Sequence, residues 1–481
     1  MKQFFYIIQR SSACIMLILL MGPGIQAQPA ESMSVDACIA YALTHNQNIK
    51  IRRLDEYIAA EQVKEVVANG YPQISGSADL QYFVELPTSI FPGEFSPQQE
   101  VVFIDGKPYP LTSLDPETLM PIPGQAAEVQ FGTPWQSTAG FSANQLIFDG
   151  AFFLGLRASK SFQDITRKAT QQSEEEIALA VTKAYYQTLI VQEQLNQLEA
   201  NITRVFKLYQ ETNILNKEGF AEKIDVSRLK ITYTNLQVER DKVARLAENS
   251  LYALKFQMGM PLKQEIELSE DITSLTVSPF ETPDELAFTP QLRIEYQLLE
   301  AQRNFQEYAL KGINVGYYPS LYGFGSYQFN AQRNAFDFFD SDQRWFPISV
   351  VGLQLNVPIF DGFRKKAQAA QAKLEIQKIE TQKDILQASF DLEIQSSYRN
   401  LLNAYVSLNS LKENKELAEE VLRVAKIKYV EGVGSSLEVN EAESQLKQAE
   451  SSYLSGLLEY LMFKADYQKA MGGFAQYRTN E

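Results

Sequence analysis

Histidine is almost missing from this chain. One residue, His45, stands among 481, so neither a histidine-ligated metal cluster nor a histidine-based nucleophilic triad can be assembled. Between Thr44 and Asn46, near the end of the first helical pattern, His45 reads as a capping or surface residue. Cysteine is nearly as scarce, with only Cys14 and Cys38. The N-terminus has the layout of a secretory signal: Lys2 and Arg10, an apolar run from Ala13 to Met21, then Gly and Pro, with a cut near Ala27. Cys14 precedes the core of that run and so cannot become the lipid-modified first residue of a mature lipoprotein. Removal of residues 1–27 leaves Cys38 alone, which excludes an internal disulfide. No other apolar run reaches the roughly 20 residues that a membrane-crossing helix needs. Positive charge is in deficit, with a formal net charge of -15 at pH 7, and this argues against a nucleic-acid partner. Gly323-Phe324-Gly325 lacks the third glycine of a dinucleotide loop, and no carboxylate pair stands out in a catalytic setting. The sequence therefore reads as a non-enzyme with no cofactor and no metal site.

What is present is a duplication. Leu146-Ile147-Phe148-Asp149-Gly150 recurs as Pro358-Ile359-Phe360-Asp361-Gly362, and each copy opens a helical pattern of about sixty-five residues. Each pattern breaks at a Glu-Gly, Glu218-Gly219 and Glu431-Gly432, and ends at a Met-Gly, Met258-Gly259 and Met471-Gly472. The shift between copies is 212 residues at the first landmark and 213 at the other two, so the register holds over the whole unit. Tyr71-Pro72 matches Tyr318-Pro319 further upstream. The domain plan is a signal (1–27), a first repeat (28–259), a linker (260–285), a second repeat (286–472) and a C-terminal tail (473–481).

Each Tyr-Pro opens a strictly alternating stretch, and another precedes each Phe-Asp-Gly. One parity reads Ile74, Gly76, Ala78, Leu80, Tyr82, Val84; then Ala139, Phe141, Ala143; then Leu321, Gly323, Gly325, Tyr327, Phe329; then Val351, Leu353, Leu355, Val357. The other parity reads Gln73, Ser75, Ser77, Asp79, Gln81 before Phe83 breaks it, then Gly140, Ser142, Asn144, and in the last run Gly352, Gln354, Asn356. Runs of this length exceed the usual soluble strand of about 5 to 6 residues and match the roughly 9 to 11 of a tilted membrane strand. One apolar and one polar face suits lipid on one side and water on the other; a long amphipathic strand of a soluble sandwich has the same period. Tyr82, Phe83, Trp135, Trp345 and Phe346 near the run ends suit an interfacial girdle or a loop core. Four strands cannot close a membrane barrel, for which about eight is the minimum. Strands in lipid therefore demand an oligomer. Between the first two strands, residues 86–135 hold nine of the nineteen prolines and read as a long surface loop. The long helical patterns carry apolar residues at mixed three-and-four spacing, as coiled-coil neighbours do.

With these landmarks in this order, the chain resembles the TolC-type outer-membrane efflux channel family over nearly its whole mature length, from Ser34-Val35-Asp36-Ala37 to Met471-Gly472. The resemblance implies a mixed α/β membrane protein built on a duplicated helix-strand-strand-helix repeat. Three chains would form a 12-stranded outer-membrane β-barrel, continued by a long α-helical barrel in the periplasm, with a mixed equatorial region at 260–285 and the chain ends. It also implies a homotrimer that contacts outer-membrane lipid, a periplasmic adaptor (membrane fusion) protein and an inner-membrane pump. The function implied is the exit duct of a tripartite efflux or type I secretion system. The alternative is an elongated structural or adhesive envelope protein with no through-channel.

The second turn, Tyr429 to Ala442, is similar to the family's gating tip, Tyr-x-x-Gly-x-Arg-x-x-x-Asp-Val-x-Asp-Ala. On that resemblance Tyr429 is a latch aromatic, and Glu438 and Glu441 are the acidic pore constriction. Gly434 stands at the arginine position, a departure from the pattern. In the first turn Asp225 takes the matching acidic place as a latch partner. Glu438 and Glu441 lie three apart on one helical face; they either ring a pore or are solvated surface glutamates. Gly219, Phe220, Gly432, Val433 and Gly434 are the expected adaptor-docking tips, although both glycine turns also suit plain helix C-caps.

Overall fold

The computed structural model describes residues 31–91, 101–110, 127–270, 272 and 288–479. The expected signal segment 1–27, most of the expected linker 260–285 beyond Glu270, and parts of the loop 86–135 lie outside the described residues. Among the described residues the elements run β1 (Glu31–Met33), α1 (Val35–His45), α2 (Gln47–Ala68), β2 (Gln73–Tyr82), β3 (Thr88–Phe91), β4 (Val101–Ile104), β5 (Lys107–Pro110), β6 (Ala127–Gln130), β7 (Trp135–Phe148), α3 (Gly150–Lys217), α4 (Lys223–Met258), β8 (Ile266–Leu268), α5 (Ile294–Val315), β9 (Ser320–Arg333), β10 (Phe346–Asn356), α6 (Arg364–Val430) and α7 (Ser436–Ala470).

The duplicated landmarks are element boundaries with a physical cause. Asp149 ends a strand and caps α3, its carboxylate accepting from the N–H groups of Ala151 at 2.7 Å and Phe152 at 3.3 Å. Asp361 does the same for α6 through the N–H of Lys365 at 3.1 Å. The helices that follow hold 68 and 67 residues. The Glu-Gly landmarks close them, with Gly219 and Gly432 left-handed at φ 86° and 75°, a region open to glycine without a Cβ penalty.

One compact unit takes Glu61–Lys160 and Phe305–Glu375. Its centre is an antiparallel four-stranded sheet in the order β10-β9-β7-β2. Ile74, Gly76, Ala78, Leu80 and Tyr82 stand opposite Ala143, Phe141, Ala139, Ser137 and Trp135. Phe141 and Ala139 in turn oppose Tyr327 and Phe329, and Gly325, Gly323 and Leu321 oppose Val351, Leu353 and Leu355. Directly opposed residues share a face, so the four apolar parities of the sequence fall on one side of one sheet. The other side is mixed: Ser75, Ser77, Asp79, Thr138, Ser142, Ser326, Gln328 and Asn330 share it with Tyr322, Phe324, Ile348 and Val350.

The alternation of β2 extends in sequence to Val84, but the strand ends at Tyr82. Phe83 still donates to the Pro134 carbonyl at 2.8 Å; Pro134 has no N–H to return, and the ladder stops there. Trp135 lies 4.7 Å from Tyr82 and 5.1 Å from Phe336, ring to ring, and Trp345 lies 6.0 Å from Phe338. Tyr82, Trp135 and Trp345 thus join Phe336 and Phe338 in one aromatic cluster. The region read as a single loop, 86–135, contains two short ribbons among its described residues, β3 with β6 and β4 with β5.

The other unit takes Met1–Ala60, Ser161–Asn304 and Ile376–Glu481. Cys38, Ile39, Ala42, Val181, Tyr185, Leu254, Met258, Ile266 and Phe474 form its largest core cluster. The parallel pair β1 with β8 joins Glu31–Met33 to Ile266–Leu268. Tyr477 donates to Asp36 at 2.7 Å, and Arg478 pairs with buried Glu175. Segments from both chain ends and the linker are therefore gathered in one place. Burial raises the Glu175 carboxyl above its ordinary value, and the Arg478 bond only partly offsets it. Buried Arg293 joins Glu295 and Glu393 at 3.1 and 3.0 Å and stacks 4.4 Å from the Phe390 ring. Burial would push the Glu295 carboxyl up, but the Arg293 hydrogen bond and charge outweigh it and hold it below the carboxylate range.

Candidate functional site

The two helical turns lie in the same unit and are tied together. In the first, Phe220 N–H donates to Leu215 O at 2.8 Å, and the Asn216 side chain donates to Ala221 O at 2.7 Å. In the second, the N–H groups of Val433 and Gly434 both donate to Lys428 O at 3.0 Å. Ser435 caps α7, accepting from the Glu438 N–H at 3.2 Å.

Polar links cross between the hairpins. The Tyr429 hydroxyl bonds the buried Thr212 hydroxyl at 3.1 Å. Asp225 accepts from the Ser436 hydroxyl, Thr232 donates to Asn440 at 3.0 Å, and Lys447 pairs with Glu239. Behind Tyr429 lies a cluster of Leu208, Leu229, Leu422, Ala425, Val439, Ala442 and Leu446. The two residues expected to act as a latch, Tyr429 and Asp225, are thus both engaged, each with the opposite hairpin.

Gly434 explains its own departure from the family pattern. A Cβ built there would lie 2.9 Å from the Lys428 Cβ and 3.1 Å from the Tyr429 nitrogen, closer than side chains approach one another. With both N–H groups converging on Lys428 O, the turn is too tight for an arginine in this shape.

Glu438 and Glu441 are exposed and line one groove of about 440 Å³ between α6 and α7, together with Glu420, Lys428 and Gln445. Of the residues expected to meet an adaptor, Phe220 is 83% and Val433 79% exposed, a Cβ at Gly219 or Gly432 would meet nothing within 4 Å, and Gly434 is half-buried. Apolar side chains this bare have no role in the chain's own packing.

A deeper cluster escapes sequence reading. Glu443, with a side chain 5% exposed, holds Lys426 at 2.7 Å and Arg204 at 3.7 Å. The Lys426 contact is off hydrogen-bond alignment and acts as an ion pair. Glu450 takes Arg204 at 3.5 Å and the Asn201 amide at 2.9 Å. The signal was available: Glu443 and Glu450 are seven apart, as are positions on one seam of a coiled coil, where charge demands a buried partner.

The family model described as outer membrane efflux protein matches residues 295–473. The probable efflux pump outer membrane protein TtgC of Pseudomonas putida is 23% identical over 366 residues, 73% of this chain and 71% of its own length. Outer membrane protein TolC of Salmonella enteritidis is 20% identical over 378 residues, 74% of each. The solved open state of the MtrE outer-membrane channel of Neisseria gonorrhoeae superposes with a TM-score of 0.66 at 16% identity, over 93% of this chain and 91% of that one. The duplicated strands and helices follow the fold of that solved outer-membrane channel. Residues 295–473 thus match the outer membrane efflux protein family, and about three quarters of the chain is similar to outer-membrane efflux proteins of the TolC type.

Proposed function

We propose that three copies of this chain form the passive exit duct of a tripartite efflux or type I secretion assembly, fed by an inner-membrane pump through a periplasmic adaptor. The observation that carries this reading is the sheet. It has one apolar face, and among the described residues β2 and β10 are paired on one side only. Open edges of 10 and 11 residues are untenable in lipid, and pairing β2 of one copy with β10 of the next removes them. Three four-strand sets then close a barrel of twelve strands with an aqueous interior. The repeats 28–259 and 286–472 supply two strands and a helical hairpin each, with 260–285 and 473–481 as the equatorial linker and tail.

In this reading Glu438 and Glu441 from three copies ring the narrow end and concentrate negative potential there. Tyr429 and Asp225 hold the tips together, and Gly219, Phe220, Gly432, Val433 and Gly434 meet the adaptor. Single-channel recording in a planar bilayer tests the duct. Wild type should give discrete cation-selective openings, and Glu438→Gln with Glu441→Gln should lower that selectivity. Unchanged selectivity would sink the constriction but keep the duct. Silence from both wild type and a tip-opening Tyr429→Ala, Asp225→Ala variant would sink the duct. For docking, Phe220→Asp with Val433→Asp should abolish transport while the oligomer assembles normally, since neither side chain packs within the chain; normal transport would reject the tips as the docking surface.

A further inference from the structure

The junction between β10 and α6 holds a groove of about 510 Å³, lined by Asn314, Tyr317, Phe360, Phe363, Lys366 and Lys373 among others. We propose that it binds an anionic phospholipid of the leaflet on the helical side of the membrane, with the headgroup phosphate between Lys366 and Lys373. This rests on the reading that the strands span the outer membrane.

Three observations point there. The apolar face of β10 runs on past the strand, with Ile359 94% and Phe360 75% exposed, so an acyl chain lying on Val351, Leu353 and Leu355 would continue into the groove. The cations come next. Lys366 and Lys373 are seven apart on one helical face and both exposed; among the described residues neither pairs with a carboxylate, Lys366 lying 6.0 Å from the Phe363 ring, whereas Lys365 turns to Asp361 at 4.0 Å and to the Tyr317 ring at 5.0 Å. An apolar strand giving way to aromatics and then lysines is the order of materials across a membrane interface. The helix start is not itself the anion site, because the Asp361 carboxylate already caps it.

The duplication supplies an internal control. At the same register the first copy has Phe152-Phe153-Leu154 where the second has Arg364-Lys365-Lys366. The first junction is covered by its own chain: a Cβ at Gly70 would lie 2.7 Å from the Phe152 ring, and one at Gly312 3.9 Å from Leu154. Where the chain covers the junction the residues are apolar; where it does not they are cationic. Phe363 adds a local oddity. It adopts φ 64°, costly for a bulky side chain, and in that conformation its ring stands exposed at the groove.

The test is native mass spectrometry of the detergent-purified full-length oligomer after incubation with phosphatidylglycerol or phosphatidylcholine, with bilayer conductance recorded in parallel. Wild type should retain phosphatidylglycerol in preference to phosphatidylcholine. Lys366→Gln with Lys373→Gln should retain about 30-fold less, each lysine near an anionic surface being worth roughly fivefold, while the Lys→Arg pair retains it and all variants conduct. Equal retention by wild type and the Gln pair would overturn the proposal. So would displacement of the lipid by millimolar inorganic phosphate, which would mark a free-anion site, or dissociation of the Gln pair into monomers, which would mean that a second copy occupies the groove. A wild type that retains lipid but never conducts would count against the duct and leave the groove standing.

Discussion

Glu443 and Glu441 are two residues apart on α7, and the structure assigns them opposite consequences. Glu443→Gln keeps the volume and one acceptor but removes the charge that faces Lys426 and Arg204. Stranding the partners of a fully buried ion pair costs about 3–5 kcal/mol. Here Arg204 and Lys426 keep 33% and 32% of their side-chain surface, so water takes back part of that loss, and Arg204 retains Glu450 at 3.5 Å. The remaining cost is about 2 kcal/mol, or about 30-fold in the local opening equilibrium. Hydrogen exchange of the purified oligomer reads this directly: amides of Val439 to Leu446 should lose about 30-fold in protection. Glu441→Gln, at an exposed site, should change protection by less than about 0.5 kcal/mol while altering cation selectivity. Protection that stays within about threefold in Glu443→Gln would refute the claim that this buried cluster, rather than the helix–helix apolar seam alone, ties α7 to α3.

Two further outcomes follow from local geometry. The Cys38 thiol is fully buried, and burial first, then the charge of Glu270, pushes it up to about 12. A thiol reagent at pH 8.5 should therefore leave the folded protein unlabelled and react fully after denaturation; labelling of the folded form would show that the first core cluster opens. Gly434→Ala should force the Lys428 turn apart at a cost of about 1–3 kcal/mol and loosen the neighbouring Tyr429–Thr212 bond, seen as more frequent channel openings. Openings indistinguishable from wild type would show that the turn is not what holds Tyr429 in place.

The strands were legible because a face of a sheet has a period of two. Each of Ile74, Phe141, Tyr327 and Leu353 announced its side of the sheet from its own neighbours, and pairing then placed all four on the same side. The helix limits were legible because Asp149, Asp361, Gly219 and Gly432 act within their own turns. The links across the tips were not, since Thr212 with Tyr429, Asp225 with Ser436 and Thr232 with Asn440 lie 217, 211 and 208 residues apart. Nothing local to Ser436 says that it faces Asp225; the hairpins must first be packed. The proline-rich loop misled for a related reason: its strands are four residues long, too short for alternation to separate from chance.

Glu438 has two sufficient explanations, and the choice between them decides how the constriction should be tested. It sits in the first turn of α7, where its N–H reaches the Ser435 side chain and where a negative charge favours the helix by about 0.3–1 kcal/mol. Neutralising it therefore weakens the tip as well as the pore potential, and a changed conductance in that variant alone would mix the two. Glu441 lies beyond the first turn, is exposed, and lines the same α6–α7 groove, so its charge has no comparable capping role. Glu441→Gln alone is the cleaner perturbation: a drop in cation selectivity there, without a change in tip protection, would assign the acidic mouth to side chains facing the conducting path. Selectivity lost only in Glu438→Gln would instead mean that the helix start had moved and that the two glutamates are surface residues.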